Sequence, residues 1–297
     1  MHILITGING LLGQNLVREF SGDNQISGID LAPWIGAKHL SVAVTSLDLT
    51  QQTILRPFIL ELGPDLVIHT AAFTNVDKAE LHPELAYAVN TTVTGDLAYI
   101  CNELDIPLIH ISTDYVFKGD SGPYREDDQR DPQGVYSKSK HAGEQAVLDR
   151  ANKAAVIRSN VMYGYGQELK SSFVDWLIRE LSQGRSVNIV DDQFNNPTYA
   201  GRLVQVIRSI IENKAWDIWH FGSKEVVSRY SFALKIADTF RLPTNLIHAI
   251  STSDLKQLAP RPMRSGLICN KLQQELGVKI LSIGEELALL KDEMNAA

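Results

Sequence analysis

His2-Ile3-Leu4-Ile5-Thr6, followed by Gly7-Ile8-Asn9-Gly10-Leu11-Leu12-Gly13, is the stretch that decides the fold. The first five residues read as a short buried strand, and Leu11 to Phe20 continues as a helix. GxxGxxG therefore falls at a strand-to-helix junction. There one glycine permits the tight turn, one lets a pyrophosphate approach backbone N–H groups, and one lets the helix pack closely on the strand. The helix N-terminus adds partial positive charge. Gly7, Gly10, Leu11, Leu12 and Gly13 are thus candidate ligands of a dinucleotide. Asp30 closes the next apolar run about twenty residues further on, where a carboxylate accepts hydrogen bonds from an adenosine ribose diol and repels a 2′-phosphate.

Working outward, Ile26 to Ile29, Leu66 to Thr70, Leu108 to Ser112 and Ala155 to Arg158 read as further strands buried on both faces. Helical stretches lie between and after them, at Gln52 to Leu62, Pro83 to Glu103 and Tyr136 to Arg150. This alternation implies βαβ crossovers and an α/β, Rossmann-type doubly wound parallel sheet over residues 1–160. After residue 160 the rhythm loosens into Gly, Asn and Pro-bearing loops around helices at Phe173 to Gln183, Ala200 to Asn213 and Tyr230 to Phe240. Residues 161–297 read as a smaller α/β lobe for the substrate, interwoven with the first domain.

The 297 residues are 44% hydrophobic and 21% charged, which is ordinary for a globular chain and excludes a disordered or collagenous one. Thirty-five acidic against 28 basic residues give a net charge of −7, the wrong sign for a generic nucleic-acid or anionic-membrane partner. No apolar run reaches the roughly 18 residues of a membrane span. Glycines and the lack of an early Lys or Arg make the N-terminus poor signal-peptide grammar, so the cytoplasm is the expected compartment. Cys101 and Cys269 belong to no Cys/His ladder, and the eight histidines form no metal motif, so no metal is expected.

Among nine tyrosines only Tyr136 has a lysine four residues on, Lys140. That spacing puts both side chains on one helix face, where an ammonium would favour the phenolate and tune a tyrosine for general acid work. Thr113 ends the strand Leu108 to Ser112 in hydroxyls, positioned to hydrogen-bond a carbonyl oxygen beside Tyr136.

With these residues in view the chain resembles the dTDP-4-dehydrorhamnose reductase family, extended short-chain reductases of nucleotide sugars. The likeness rests on Ile3-Leu4-Ile5-Thr6-Gly7, the run Ala71 to Glu80, Ser112-Thr113-Asp114-Tyr115-Val116-Phe117, Tyr136 with Ser139-Lys140 and Gly143-Glu144, Asp192-Gln193 with Pro197-Thr198, and Arg261-Pro262. It implies reduction by NADH or NADPH of the 4-keto group of a 6-deoxy nucleotide sugar, with Thr113, Tyr136 and Lys140 catalytic. Asp30 favours NADH. The resemblance further implies that Asp48 and Leu49 border the adenine and that Ala71, Ala72 and Phe73 line the cofactor cleft. Thr113, Asp114, Val161, Thr198 and Arg261 would meet the sugar. A homodimer is the expected assembly.

This chain departs from the family pattern in carrying Ser137 after the tyrosine where Gly is common, Val161 where Trp is frequent, and no tryptophan between Leu281 and Leu287. The Val161 difference bears on the sugar rather than on the redox step. Epimerisation or dehydration by the same fold, and a non-catalytic regulatory subunit, are the alternative functions. Asn90-Thr91-Thr92 matches a glycosylation acceptor but falls in a helical stretch and reads as structural, and Glu126-Asp127-Asp128 reads as a solvated acidic loop.

Overall fold

Strands buried on both faces need helices on both sides, and the order of elements supplies them. The structure is a computed structural model that describes residues 1–40, 42–169 and 172–296. It runs β1 (His2–Thr6), α1 (Leu11–Phe20), β2 (Gln25–Asp30), β3 (Ala43–Ser46), α2 (Gln52–Leu62), β4 (Leu66–His69), α3 (Val76–Leu81) and α4 (Pro83–Tyr87). A π-helical turn at Ala88–Val93 leads into α5 (Thr94–Glu103), β5 (Leu108–Thr113), α6 (Gly134–Arg150) and β6 (Ala154–Ser159). Then come β7 (Met162–Tyr163), α7 (Phe173–Ser182), β8 (Val187–Val190), β9 (Phe194–Asn195), β10 (Thr198–Tyr199), α8 (Ala200–Asn213) and β11 (Ile218–His220). The chain finishes with β12 (Val227–Ser228), α9 (Arg229–Phe240), β13 (Ile247–Ile250), α10 (Asn270–Leu276) and α11 (Ile283–Ala296).

Seven strands form one parallel sheet in the order β11-β6-β5-β4-β1-β2-β3. The chain order reverses between β1 and β4, which opens a crevice outside their carboxyl ends. Thr6 pairs with Ile29 on one side and His69 on the other, and Thr113 pairs with Ser159. The glycine turn, the segment after His69 and the Thr113 loop therefore leave the sheet along one edge. The doubly wound sheet read from the alternation is the sheet observed.

Two of its strands escaped the sequence. The side chains of β3 are mostly exposed, so no apolar run marks it. β11 is three residues long and returns from beyond residue 200 to pair with β6. One face of the sheet packs Leu12, Leu16 and Phe20 of α1 with Leu203, Ile207 and Ile210 of α8, while the other packs against α2, α5 and α6. A second core joins α7, α9 and α11 around Tyr163, Leu177, Phe232 and Leu287. Among the described residues no helix is long and apolar enough to cross a membrane.

The last helix, unmarked in the sequence reading, is tied to this second core by two tyrosines. Tyr163 donates to Glu286 Oε2 at 3.0 Å, and Tyr199 donates to Glu293 Oε2 at 2.7 Å. Glu286 is fully buried, and burial raises its pKa from 4.5 to about 8. The folded protein thus keeps a proton that the unfolded chain releases once pH passes about 4.5, so this group's contribution to stability falls as pH rises from there toward 8. Glu286→Gln keeps an acceptor for Tyr163 and removes the titration. Urea midpoints taken at about pH 5 and about pH 8 should drop between the two for the wild type and drop markedly less for the variant.

Candidate active site

The turn after β1 is shaped for close backbone approach. Gly7 has φ +68° and its N–H donates to the Ile29 carbonyl at 2.8 Å. A Cβ on Gly7 would sit 2.8 Å from the Ala71 backbone, and one on Gly13 would sit 2.5 Å from the Ile8 carbonyl oxygen. Gly10 caps α1 in extended conformation, and no acidic side chain occupies the first turn. The N–H groups of the first helical turn lack intrahelical acceptors by geometry, so Leu11, Leu12 and Gly13 offer donors and partial positive charge to an anion. This cradle fits a dinucleotide pyrophosphate.

Asp30 stands at the end of β2, its Oδ2 accepting the Asn9 N–H at 3.0 Å and its Oδ1 the Leu31 N–H at 2.8 Å. Those bonds hold the carboxylate beside the glycine turn. Asp48 is exposed, and its Oδ1 accepts both the N–H and the hydroxyl of Thr50, so it shapes the turn before α2 and leaves Leu49 half-buried. Ala71, Ala72 and Phe73 leave β4 half-buried on the opposite side of the crevice. Behind them His69 takes the Thr6 hydroxyl on Nδ1 at 2.7 Å and reaches the Thr94 hydroxyl with Nε2 at 3.0 Å, and its ring stacks on His110 at 5.4 Å. Burial, with the Lys140 charge, lowers the His69 pKa to about 3. Both histidines are neutral packing groups.

Tyr136 and Lys140 lie one turn apart on α6, and Thr113 at the end of β5 is near enough to the Tyr136 phenol to act on it. The Lys140 ammonium donates to the Ile111 carbonyl at 2.7 Å, and burial lowers its pKa to about 8. The expectation that Lys140 pulls the Tyr136 phenol down is not met here. Burial pushes that phenol up, Thr113 opposes the shift, and the Tyr115 and Asp114 charges add to it. Tyr136 is therefore held as a protonated donor. Tyr115 stands edge-on to it at 5.6 Å.

The family described as RmlD substrate binding domain matches residues 1–295. The chain belongs to this family, that of the dTDP-4-dehydrorhamnose reductases. The dTDP-4-dehydrorhamnose reductase of Aggregatibacter actinomycetemcomitans is 33% identical over 93% of this chain and 94% of its own length. Methionine adenosyltransferase 2 subunit beta of Xenopus laevis is 33% identical over 91% of this chain and 81% of its own. The crystal structure of Bacillus anthracis dTDP-4-dehydrorhamnose reductase in complex with NADP superposes with a TM-score of 0.89 at 30% identity, covering 98% of this chain and 99% of that one.

Within this family frame the residues matched to the sugar separate. Asp114 is 1% exposed, and its carboxyl oxygens are taken by the Thr113 hydroxyl at 3.2 Å and the Ser265 hydroxyl at 2.5 Å. Arg261 pairs with Asp77 at 2.7 Å and faces Tyr115, within reach of the Tyr136 neighbourhood. Thr198 is fully buried, donating to the Phe221 carbonyl and accepting the Asn160 N–H, so its hydroxyl is already engaged within the protein. Val161 has φ +32°, a left-handed conformation that strains a β-branched residue.

Four contributors were missed. Asn90 sits in the π-helical turn, 1% exposed, and clamps Phe73 through its N–H and carbonyl while donating to Ser139 of α6. That burial agrees with the structural reading of the Asn90 sequon. Arg229, over the Phe173 ring at 5.3 Å, faces Asp114 and Tyr115. Finally, Arg158 and Glu144 form an ion pair with no solvent exposure, Nη2 to Oε1 at 2.5 Å, with Ser112 donating to Glu144 Oε2 at 2.8 Å. The spacing of Glu144, one turn beyond Lys140 on the same face, is the signal that could have found it.

The solvated reading of Glu126-Asp127-Asp128 holds for Asp127, which is exposed, and is corrected at Glu126. Glu126 is half-buried, its Oε1 accepts the His220 N–H at 3.1 Å, and its carbonyl accepts Arg158 at 3.0 Å. Proximity to this buried network, rather than solvation, fixes the residue. Arg158→Met should leave Glu144 buried without its close cation and cost about 3–5 kcal/mol of unfolding free energy. The double variant Arg158→Met/Glu144→Leu should recover part of that loss in urea titrations, and equal losses in single and double variants would contradict the pairing.

Proposed function

We propose that the protein reduces the 4-keto group of a 6-deoxy nucleotide sugar with NADH or NADPH, converting dTDP-4-dehydro-L-rhamnose to dTDP-L-rhamnose. The observation that carries this reading is the meeting of Thr113, Tyr136 and Lys140 across the crevice from a glycine turn shaped for a pyrophosphate. Gly7, Gly10, Leu11, Leu12 and Gly13 would hold the pyrophosphate, Asp30 the adenosine ribose, Asp48 and Leu49 the adenine surroundings, and Ala71, Ala72 and Phe73 the wall of the cleft. The reduced nicotinamide supplies the hydride.

Tyr136, kept protonated by burial, delivers its proton to the C4 oxygen, and Thr113 orients that oxygen. Lys140, cationic below about pH 8 and anchored on the Ile111 carbonyl, would hold the nicotinamide ribose. Asp114, Val161, Thr198 and Arg261 are proposed to shape the sugar end, with residues 161–297 as the substrate lobe. Arg261 and the unanticipated Arg229 supply positive charge near a substrate that carries two phosphates. The proposed assembly is a homodimer.

Incubation with dTDP-4-dehydro-6-deoxy-L-mannose should consume the reduced nicotinamide, read by its ultraviolet absorbance. Tyr136→Phe should lose about 10²- to 10⁴-fold in kcat. Activity should fall as pH rises through about 8 in the wild type, because burial shifts Lys140 down to that value and the ammonium is lost above it. Full activity of Tyr136→Phe contradicts the mechanism.

Asp30 further predicts a lower KM for NADH than for NADPH, since a carboxylate beside a 2′-phosphate repels it. The reverse order of KM values contradicts that assignment. A second reading, a non-catalytic subunit, is favoured by the likeness to methionine adenosyltransferase 2 subunit beta. A stable complex with another enzyme, together with no turnover of any 4-keto nucleotide sugar, would establish it over reduction.

A further inference from the structure

The run Ala71 to Glu80 serves the cofactor cleft through Ala71, Ala72 and Phe73, yet two carboxylates further along it are committed to other parts of the site. Asn75 caps α3, its side chain accepting the Lys78 N–H at 2.9 Å, and Asp77 and Glu80 follow three residues apart on one face of that helix. Asp77 Oδ2 takes the Arg261 guanidinium at 2.7 Å and its Oδ1 the Ala259 N–H at 3.0 Å. Glu80 Oε1 accepts the Val135 N–H at 2.7 Å. One short helix therefore grips both the segment that carries Arg261 and the helix that carries Tyr136.

The grip on α6 is at its first turn. Val135 is the second residue of that helix, and its N–H has no acceptor within the helix. Gln133 at the N-cap supplies no side-chain bond, so Glu80 does the capping from another element, with the charge that a helix N-terminus favours. The fit is close. Gly134 has φ +78°, and a Cβ there would lie 2.7 Å from Glu80 Oε1 and 3.2 Å from Pro260 Cδ. Tyr136 comes next, and its carbonyl accepts the Ser139 hydroxyl at 2.8 Å. Ser139 in turn accepts from Asn90, whose amide pairs with both backbone groups of Phe73. The segment from Phe73 to Glu80 thus reaches the backbone around Tyr136 through Asn90 at one end and Glu80 at the other.

The grip on Arg261 is equally built. Its guanidinium donates to Asp77 and, at 3.1 Å, to the Ala259 carbonyl, and its side chain is only 10% exposed. The same segment is docked on the loop after β5, where Arg264 donates to the Gly119 carbonyl at 2.7 Å and a Cβ on Gly119 would overlap Pro262. Those bonds order the long Arg261 side chain before any ligand arrives and leave its remaining N–H groups for an anion.

We propose that Asp77 and Glu80 are positioning residues on one bracket: Asp77 presents Arg261 to the diphosphate of the nucleotide sugar, and Glu80 sets the first turn of α6 and with it the Tyr136 phenol. The proposal rests on the reductase reading for what Arg261 and Tyr136 act upon. Two different kinetic signatures follow. A diphosphate contact is made alike in the ground and transition states, so losing Asp77 raises KM, whereas a displaced proton donor lowers kcat. Asp77 also offsets part of the Arg261 charge, and that sets a sign. Were charge compensation its whole role, removing it would tighten the binding of an anion; positioning requires that binding weaken.

The first arm of the test titrates the whole protein with dTDP by calorimetry. Asp77→Ala and Asp77→Asn should each weaken dTDP about three- to tenfold, the cost of ordering one long side chain on binding rather than beforehand. Asp77→Asn keeps an acceptor for the Ala259 N–H and carries this arm if Asp77→Ala fails to fold. In an Arg261→Met background the same substitution should cost nothing further, and Glu80→Ala should leave dTDP binding unchanged. Unchanged or tighter binding in the Asp77 variants, an equal further loss in the Arg261→Met background, or no dTDP binding by the wild type overturns the role of Asp77.

With keto sugar and reduced nicotinamide, Glu80→Ala should lower kcat about ten- to a hundredfold with both KM values unchanged. Glu80→Gln, whose amide oxygen still accepts the Val135 N–H, should restore kcat. In protein labelled with ¹³C at tyrosine Cζ, the Tyr136 resonance, identified by its loss in Tyr136→Phe, should move in Glu80→Ala and stay in place in Glu80→Gln. An unmoved resonance in Glu80→Ala, or a Glu80→Gln variant as impaired as Glu80→Ala, overturns the role of Glu80. No turnover by the wild type, alongside the expected dTDP and resonance changes, overturns the reductase reading alone.

Discussion

Glu144 and Arg158 meet without solvent at the joint between α6 and β6, and the geometry of the site follows from that meeting. Glu144 belongs to the helix face that carries Tyr136 and Lys140, so holding it holds their rotation about the helix axis. Arg158 reaches outward from the sheet as well, to His220 Nε2 at 3.1 Å and to the Glu126 carbonyl, and its guanidinium lies 5.1 Å from the Phe117 ring centroid. His220 spends its other ring nitrogen on the Tyr124 carbonyl. Burial and the Arg158 charge hold that imidazole neutral, so Nε2 accepts while Nδ1 donates. One pair of charges thus fixes the catalytic helix, the sheet edge and the loop that follows Thr113. A buried pair is weak evidence for stability and better evidence for specificity of arrangement, which is what a site built from three elements needs.

Net charge and ligand charge pull in opposite directions. A chain at −7 must receive a cofactor and a substrate that both carry phosphates. Bulk potential works against that, so attraction has to be local. At the cofactor end it comes from the turn around Gly7 and the start of α1, where backbone N–H groups rather than lysines face the crevice. At the proposed substrate end the available positive charge is that of Arg229 and Arg261, brought together with Tyr115 and Asp114 from widely separated parts of the chain.

The first half of the fold was legible because local pattern and burial agree there. Helices α1, α2 and α8 begin and end where the sequence puts them, and the five doubly buried strands are found within a residue or so at each end. β3 failed because its pleat is mostly exposed, and β11 because three residues carry too little periodicity. The long helix from Pro83 to Glu103 was read as one piece, and no periodic signal at this length distinguishes the extra residue that makes Ala88–Val93 a π turn. Of the site, Thr113, Tyr136 and Lys140 were visible as a motif with fixed spacing. Ser265, Arg229 and Arg158 were not, since each acts through a contact with a residue at least fourteen positions away.

That division has a physical cause with a functional consequence. Spacing within one helix or at one strand end encodes which groups can do chemistry. Whether they carry the right protons is decided by partners that only tertiary folding supplies. Asp114 shows the point most plainly. Adjacent in sequence to Thr113, it reads as one more polar residue at a strand end. Only when the segment around Ser265 pairs with the loop after β5 does its carboxyl become buried, held by two hydroxyls and pushed up by burial to about 6. The loop around Ser265 therefore helps to build the sheet edge beside Tyr136, because its docking is what buries Asp114 and gives its carboxyl a second hydroxyl partner.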